Sequence, residues 1–440
     1  MNVADIVVSA LGGHVEFRVE AYDGSVAEPS GPSPANSITL KILSRDALTR
    51  VVTHPGELGL ARAYVAGDID VDGDLDALFY LSTPPLSKLL SKKNVAALVR
   101  LLGPEGLQPL PPPSIEAAPR GVLHSRRRDA ASVSHHYDVS NRFYEMVLGP
   151  SMTYSCAVFR SPEDTLEEAQ RRKVDLVARK LNLSNETRLL DVGCGWGTMA
   201  LHAASTYGAR AVGVTLSREQ QRYATEAARA AGLDHLVEFR LQDYRDVADG
   251  PFDAISSIGM SEHVGRRALN AYVQHLFDLL GPGGRFLNHA IGRPASFDPD
   301  PRPSRLSSAS RGVQFALGMR GPSRIGSAFI ERYVFPDGEL HEVGTFVSTL
   351  QARGFEVRHF ESLREHYGRT LREWGANLDK RYDEAVEEVG VERARVWRLY
   401  MSGSAVGFER HQLEVHQILC VKPEEGRSDV PLRPHFEPEF

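Results

Sequence analysis

The sequence predicts an α/β protein with a parallel, doubly wound sheet preceded by a smaller mixed α/β domain, and three observations carry that reading. From about residue 165 helix-like and strand-like segments alternate with the regularity of βαβ units. At 187 to 197, TRLLDVGCGWG, an apolar strand runs into a glycine turn that opens a helix, and glycine permits positive φ and lets a ligand approach the backbone with no Cβ in the way. Before this region, residues 38 to 80 alternate apolar and polar positions around turns, as in Ile38-Thr39-Leu40-Lys41-Ile42.

In chain order, a Pro/Ser/Gly-rich stretch at 24 to 37 leads into that N-terminal module, taken as 1 to 106. The cluster LQPLPPPSIEAAP resists both helix and central strand, so 107 to 123 reads as a linker. The second domain, 124 to 424, opens with an amphipathic helix at 165 to 182 and continues as strand 188 to 192, helix 197 to 207, strand 210 to 214, helix 217 to 231, strand 236 to 241, strand 252 to 258 and helix 268 to 280. Gly281-Pro282-Gly283-Gly284 reads as a turn before the strand Arg285 to Ala290. The rhythm breaks at 293 to 326, and 425 to 440 forms a tail.

Bulk properties narrow the function. With 51 basic and 57 acidic residues among 440 and a net charge of −6, the chain lacks the basic footprint of a nucleic-acid binder. There is no run of eighteen apolar residues, and MNVADIVVSALGG has neither a positive n-region nor a cleavage site, so a cytoplasmic protein is expected. Cys156, Cys194 and Cys420 are too few and too scattered for a disulfide framework or a zinc site. Reduced thiols and no metal follow.

Ligands of open α/β sheets bind at the carboxyl ends of the strands, and four features collect there. Asp191 closes the first strand ahead of Gly193, Cys194, Gly195 and Gly197. Thr215 and Leu216 end the second and can line an adenosine pocket, with Gln220 one turn on. Gln242, Asp243 and Tyr244 end the third, near the edge and face of an adenine. Glu262 and His263 follow the fourth. Taken singly, the turn is equally a plain strand-to-helix connection, and Tyr244 a core aromatic.

These residues resemble the class I S-adenosylmethionine methyltransferases, and more narrowly the cyclopropane-fatty-acyl-phospholipid synthase family. The narrower resemblance rests on HHYDVSNRFYEMVLGPSMTYSCAVF at 135 to 159, LDVGCGWG, GVTLSREQ, LQDYRD, GMSEHVG, NHAIG, ERYVFPDGEL and HYGRTLREW, in the family's order from 135 to 374, with ARAYVAGDIDVDGDL at 61 to 75 like the family's N-terminal domain. It implies S-adenosylmethionine as methyl donor, contacted by Tyr154, Ser155, the 193 to 197 turn, Thr215, Gln220 and Tyr244. It implies bicarbonate as base, held at Cys156, Glu262, His289 and Tyr367. It also implies a homodimer.

Methyl transfer to an alkene, a weak nucleophile, needs alignment with the sulfonium, exclusion of water, stabilisation of a carbocation and then a base. No covalent step is required, so Cys156 takes a structural or anion-binding role. Where the family often has C-A-G-A-F-R, this chain has Ser404-Ala405-Val406-Gly407-Phe408-Glu409, which excludes a cysteine nucleophile there. That segment and the long insert resemble the branch that makes 10-methylene-stearoyl lipids, the tuberculostearic acid precursors, with a flavin- or nicotinamide-dependent reductase as the partner that would act on the methylene. Cyclopropane formation is the alternative. Rival classes are a small-molecule methyltransferase and a membrane-binding module with a vestigial cofactor fold. The insert carries Arg293, Arg302, Arg305, Arg311, Arg320 and Arg324 against Asp298 and Asp300, interleaved with apolar residues. It fits either docking on the inner face of an anionic phospholipid bilayer or a solvated loop. Arg126-Arg127-Arg128 is a second basic patch, read on its own as a solvated approach to the second domain.

Overall fold

The computed structural model describes residues 2–11, 13–31, 38–80, 92–118, 121–137, 139–295 and 327–436. The chain divides into two compact units. One comprises 1–118, 327–334 and 382–406, and the other 119–326, 335–381 and 407–440.

In the first unit a four-stranded sheet has the order β2-β1-β3-β4, from β1 (Arg18–Ala21), β2 (Val26–Ala27), β3 (Thr39–Ile42) and β4 (Ile69–Asp72). β1 and β3 run parallel and the other pairs antiparallel. Val3, Ile6, Val19, Ile38, Leu48 and Leu102 fill its core. Buried ion pairs and carbonyl contacts tie the two late segments to this unit. Arg62 forks onto Glu116 with both bonds at 2.7 Å, Tyr333 donates to the same carboxylate at 2.9 Å, and Arg395 donates to the carbonyls of Tyr64 and Ile69 at 2.6 and 2.7 Å. Burying charge is costly unless it is paired and hydrogen-bonded, and here each guanidinium is.

The second unit holds a seven-stranded sheet, order β10-β11-β9-β8-β5-β6-β7. Its strands are β5 (Arg188–Val192), β6 (Arg210–Thr215), β7 (Val237–Leu241), β8 (Phe252–Ile258), β9 (Leu280–Gly292), β10 (Glu356–Ser362) and β11 (Glu414–Val421). The first five pair in parallel, as the alternation predicts, but β11 runs antiparallel to both β9 and β10. The sheet is therefore mixed. Helices at Leu166–Leu181, Thr198–Tyr207, Arg218–Ala230 and Leu269–Leu279 follow the expected spans. The first begins with a full capping box between Thr165 and Glu168, which satisfies amide donors that the helix leaves open. The Gly281–Gly284 run, expected as a turn, lies inside the start of β9, where pairing with β8 shifts between Phe252 and Ala254.

Small residues set the spacing beneath the turn. Gly197 has φ +89, and a Cβ there would stand 2.6 Å from Phe239 Cζ and 2.9 Å from the Ala224 Cβ. Both the left-handed backbone and the close packing require glycine. Gly197→Ala is expected to destabilise the protein by about 2–4 kcal/mol, read as a lowered urea midpoint at unchanged m-value. A loss below about 1 kcal/mol would show that the backbone relaxes around the methyl group.

Candidate active site

A cavity opens at the carboxyl ends of β5, β6, β7 and β8, within the second unit. Its wall includes every residue assigned from the sequence to the cofactor except Gly197: Tyr154, Ser155, Asp191, Gly193, Cys194, Gly195, Thr215, Leu216, Gln220, Gln242, Asp243 and Tyr244. Gly197 lies under the turn against Phe239. The turn itself is held down, because the amides of Gly193 and Cys194 both donate to the Val214 carbonyl, at 3.0 and 3.1 Å. Thr215 Oγ1 donates to Gln220 Oε1 at 2.8 Å, fixing that amide. Asp243 is engaged by Arg245, which also pairs with Asp129. Burial pushes the Tyr244 phenol up to about 12, so it presents a neutral ring.

An aromatic group covers one side. The Tyr154 ring has His136, Trp374, Tyr144 and Phe335 around it with centroids 5.3 to 6.5 Å away, and Trp196 adjoins Tyr144 at 4.6 Å. Such faces attract a cation while excluding water.

Sequence reasoning missed Lys173. It lines the cavity and is 1% exposed, and its Nζ donates to Ser155 Oγ at 2.9 Å. Burial lowers its pKa to about 8, against the attraction of the Cys156 thiol and Asp191. Burial raises Asp191 to about 6, opposed by a hydrogen bond from Ser256 Oγ at 2.7 Å and by Lys173. Gln170, three positions earlier, donates to the Ser155 carbonyl at 2.8 Å. The available signal was a helix whose buried stripe, with Val174, Val177 and Leu181, also carries Gln170, Lys173 and Lys180. Polar side chains on a core-facing stripe need partners.

Cys156, Glu262, His289 and Tyr367 are not on that wall. Cys156, Glu262 and His289 lie one step behind it and Tyr367 two. Cys156 follows the lining residue Ser155; its Sγ points at the carbonyls of Ala157 and Leu363, 3.2 and 3.6 Å away, and burial raises the thiol. A buried protonated thiol is no nucleophile. Glu262 precedes the lining residue His263, and its Oε1 accepts from the Ile291 amide at 2.7 Å. Burial raises its carboxyl to about 7, opposed by that bond. His289 is paired in the sheet with Ile258, and its carbonyl accepts from the amide of lining Gly259 at 2.8 Å. Burial, then Lys173 and Lys180, push its pKa well down. The Tyr367 ring packs on Phe408 at 4.7 Å and on Trp374 at 6.0 Å, which in turn meets Tyr154.

Two buried atoms here, Glu262 Oε2 and His289 Nε2, have no hydrogen-bond partner among the described residues. His289 lies in β9, and Glu262, in the turn Ser261–His263, grips the β9 amide two residues beyond it. Native structures rarely leave such atoms unpaired. A small oxyanion carrying one proton, as bicarbonate does, can accept from an imidazole and donate to a carboxylate, so the donor set fits it. Among the described residues no cluster of three or more His, Cys, Asp or Glu suits a metal ion. All three cysteines are free and buried.

The two basic patches resolve differently. Arg126 bonds Asp246 at 2.7 Å and Arg128 forks onto Asp337, with one bond at 2.6 Å. The Arg126 pair is exposed, as a solvated patch should be, whereas the largely buried Arg128 pair anchors the helix Arg126–Tyr137, which carries cavity residues Asp129, Ser132 and Val133. Of the insert, Arg293 is described and 296–326 lie outside the described residues.

Residues 124–418 match the family model for mycolic acid cyclopropane synthetase. A "Probable fatty acid methyltransferase Rv3720" of Mycobacterium tuberculosis is 43% identical over 452 residues, covering 100% of this chain and 99% of that protein. The tuberculostearic acid methyltransferase UfaA1 of the same organism is 32% identical, covering 96% and 91%. The crystal structure of the mycolic acid cyclopropane synthase CmaA1, complexed with SAH and CTAB, superposes with a TM-score of 0.58 at 32% identity, covering 67% of this chain and 98% of that one. With its class I methyltransferase sheet and this match over most of its length, the chain belongs to the mycolic acid cyclopropane synthetase family.

Proposed function

We propose that this protein is an S-adenosylmethionine-dependent fatty acyl methyltransferase that methylates the cis double bond of an oleoyl chain in a membrane phospholipid, giving a 10-methylene chain. The observation that carries the reading is the pairing of the cavity at the carboxyl ends of the strands with a buried acid and histidine next to its lining residues, each with an unpaired polar atom. A phenol or amine methyltransferase needs no such chamber.

S-adenosylmethionine, when bound, supplies an electrophilic methyl on a sulfonium. Thr215, Gln220 and Tyr244 suit its nucleoside end, while Ser155 with Lys173 supplies hydroxyl and ammonium donors for its carboxylate. The rings about Tyr154 keep water from the reacting carbons and face the cation that forms on the acyl chain. Bicarbonate, held by His289 and Glu262, would supply the base, and Cys156 and Tyr367 pack the elements around it.

Addition of the methyl leaves a secondary cation. If a hydride shifts onto that carbon from the methylated one, loss of a methyl proton gives an exocyclic methylene. If the methyl proton leaves first, the ring closes to a cyclopropane. The 32% identity to a tuberculostearic acid methyltransferase and the Ser404 to Glu409 segment favour the methylene. The family description favours the ring. No helix among the described residues is long and apolar enough to cross a membrane. We place the enzyme at the inner face of the bilayer through the basic insert, with a homodimer and a reductase for the methylene as further proposals.

Methyl-labelled S-adenosylmethionine incubated with dioleoyl phosphatidylglycerol vesicles is expected to label the acyl chains and give vinylidene proton signals in the released acids. Cyclopropane signals would replace the methylene product, and unlabelled chains would sink the central reading. Glu262→Gln should bind the methyl donor as wild type does and lose turnover by roughly 100-fold or more. Equal loss of both would make its role donor binding or folding. The same variant tests the raised carboxyl. The folded protein holds this proton more tightly than the unfolded chain, so its stabilising contribution is complete below about 4.5 and disappears as pH rises through about 7. Glu262→Gln should flatten the fall in urea stability over that window by a few kcal/mol; an unchanged slope would place the proton elsewhere.

A further inference from the structure

Behind the cavity a chain of buried polar groups runs to His289. Lys180 and Gln417 are each 0% exposed. Lys180 Nζ donates to Gln417 Oε1 at 2.7 Å and to the Glu361 carboxylate. Gln417 Nε2 lies 3.1 Å from His289 Nδ1, and the two residues face each other in the β11–β9 pairing.

The chemistry of these groups leaves one assignment. An ammonium has donors and no acceptor, so the amide oxygen of Gln417 must face Lys180. Its NH2 must then face His289, and an NH2 only donates. His289 Nδ1 therefore accepts. A neutral imidazole carries one proton, which must sit on Nε2, the buried atom left unpaired.

We propose that Lys180 and Gln417 are positioning residues that lock His289 in the Nε2–H tautomer, making the ring a fixed hydrogen-bond donor toward the oxyanion chamber instead of a base. The proposal rests on the oxyanion reading of that chamber. The positive surroundings agree with it: Lys173, Lys180 and His416 all oppose a second proton on the ring, as does burial. A proton leaving the substrate then cannot come to rest on His289, whose accepting nitrogen is occupied by Gln417. The acceptors left in the chamber are the anion and Glu262.

The tautomer can be read without turnover. In the full-length protein labelled with 15N-histidine, long-range proton–nitrogen spectra identify the His289 ring by the loss of its signals in His289→Gln and their shift in Lys180→Met. Wild type is expected to show a bare Nδ1 and a protonated Nε2. Gln417→Glu offers the ring only acceptor oxygens, so the proton should move to Nδ1 and turnover should fall by about tenfold to a hundredfold with methyl-donor affinity retained. A wild-type ring protonated on Nδ1, or on both nitrogens near neutral pH, overturns the inference whatever the activity. So does a Gln417→Glu protein that keeps the Nε2 proton and full turnover. If the tautomer is as expected but no acyl chain is methylated, the inference stands and the proposed reaction falls.

Discussion

Taking ionisable groups out of water beneath the carboxyl edge of a sheet is the constraint on which the rest of this site depends. Lys173, Asp191, Glu262 and His289 are nearly inaccessible, and in each the largest influence on the pKa is burial, pushing toward the neutral form. An isolated charge in such a place costs far more than the fold's net stability. The site answers with hydrogen bonds: Lys173 to Ser155, Ser256 to Asp191, the Ile291 amide to Glu262 and Gln417 to His289. The atoms these bonds do not reach belong to Glu262 and His289, and there a ligand would complete the set.

Such a chamber needs a rigid frame, because its polar groups are useful only while they stay aligned. The frame comes from packing at the turn. Val214 holds two amides of the glycine turn, and Phe239 fills the space under Gly197 and Gly213, where a Cβ would stand 2.6 and 2.7 Å from its ring. The helix Leu166–Leu181 then reaches across with Gln170 and Lys173 to fix the Ser155 backbone and hydroxyl. The segment that carries the lining residues Tyr154 and Ser155 is pinned two residues further on, where Thr370 Oγ1 accepts from the Ala157 amide at 3.0 Å.

The parts written locally were legible. Strands β5 to β8 and the helices between them follow apolar periodicity, and the residues that end those strands meet at one cavity because parallel strands deliver their carboxyl ends to the same edge. What escaped depends on contacts between distant segments. The reversed β11 has no sequence mark of its direction. Lys173 and Lys180 look like ordinary solvated lysines until the face of their helix is known. Arg126 and Arg127 stay exposed, as a solvated patch should, but Arg128 does not, being paired with Asp337, 209 residues away. Motif resemblance pointed to Cys156, Glu262, His289 and Tyr367 but could not show that they lie behind the cavity wall.

The reversed strand also explains how one sheet can hold both a common cofactor fold and a particular chemistry. β5, β6 and β7 supply the nucleoside side and pair only in parallel. His289 sits where β9 meets β11, and there register decides which side chains meet. Residues directly opposite in an antiparallel pair share a face and lie close enough for side chains to bond, which brings Gln417 to His289 across 128 positions of sequence. A one-residue slip would turn Gln417 to the other face of the sheet, separate it from Lys180, and leave the His289 proton free to choose its nitrogen. On the tautomer we propose, the pairing of β11 bears on catalysis as well as on structure: the strand that completes the sheet sets which nitrogen of His289 carries the proton.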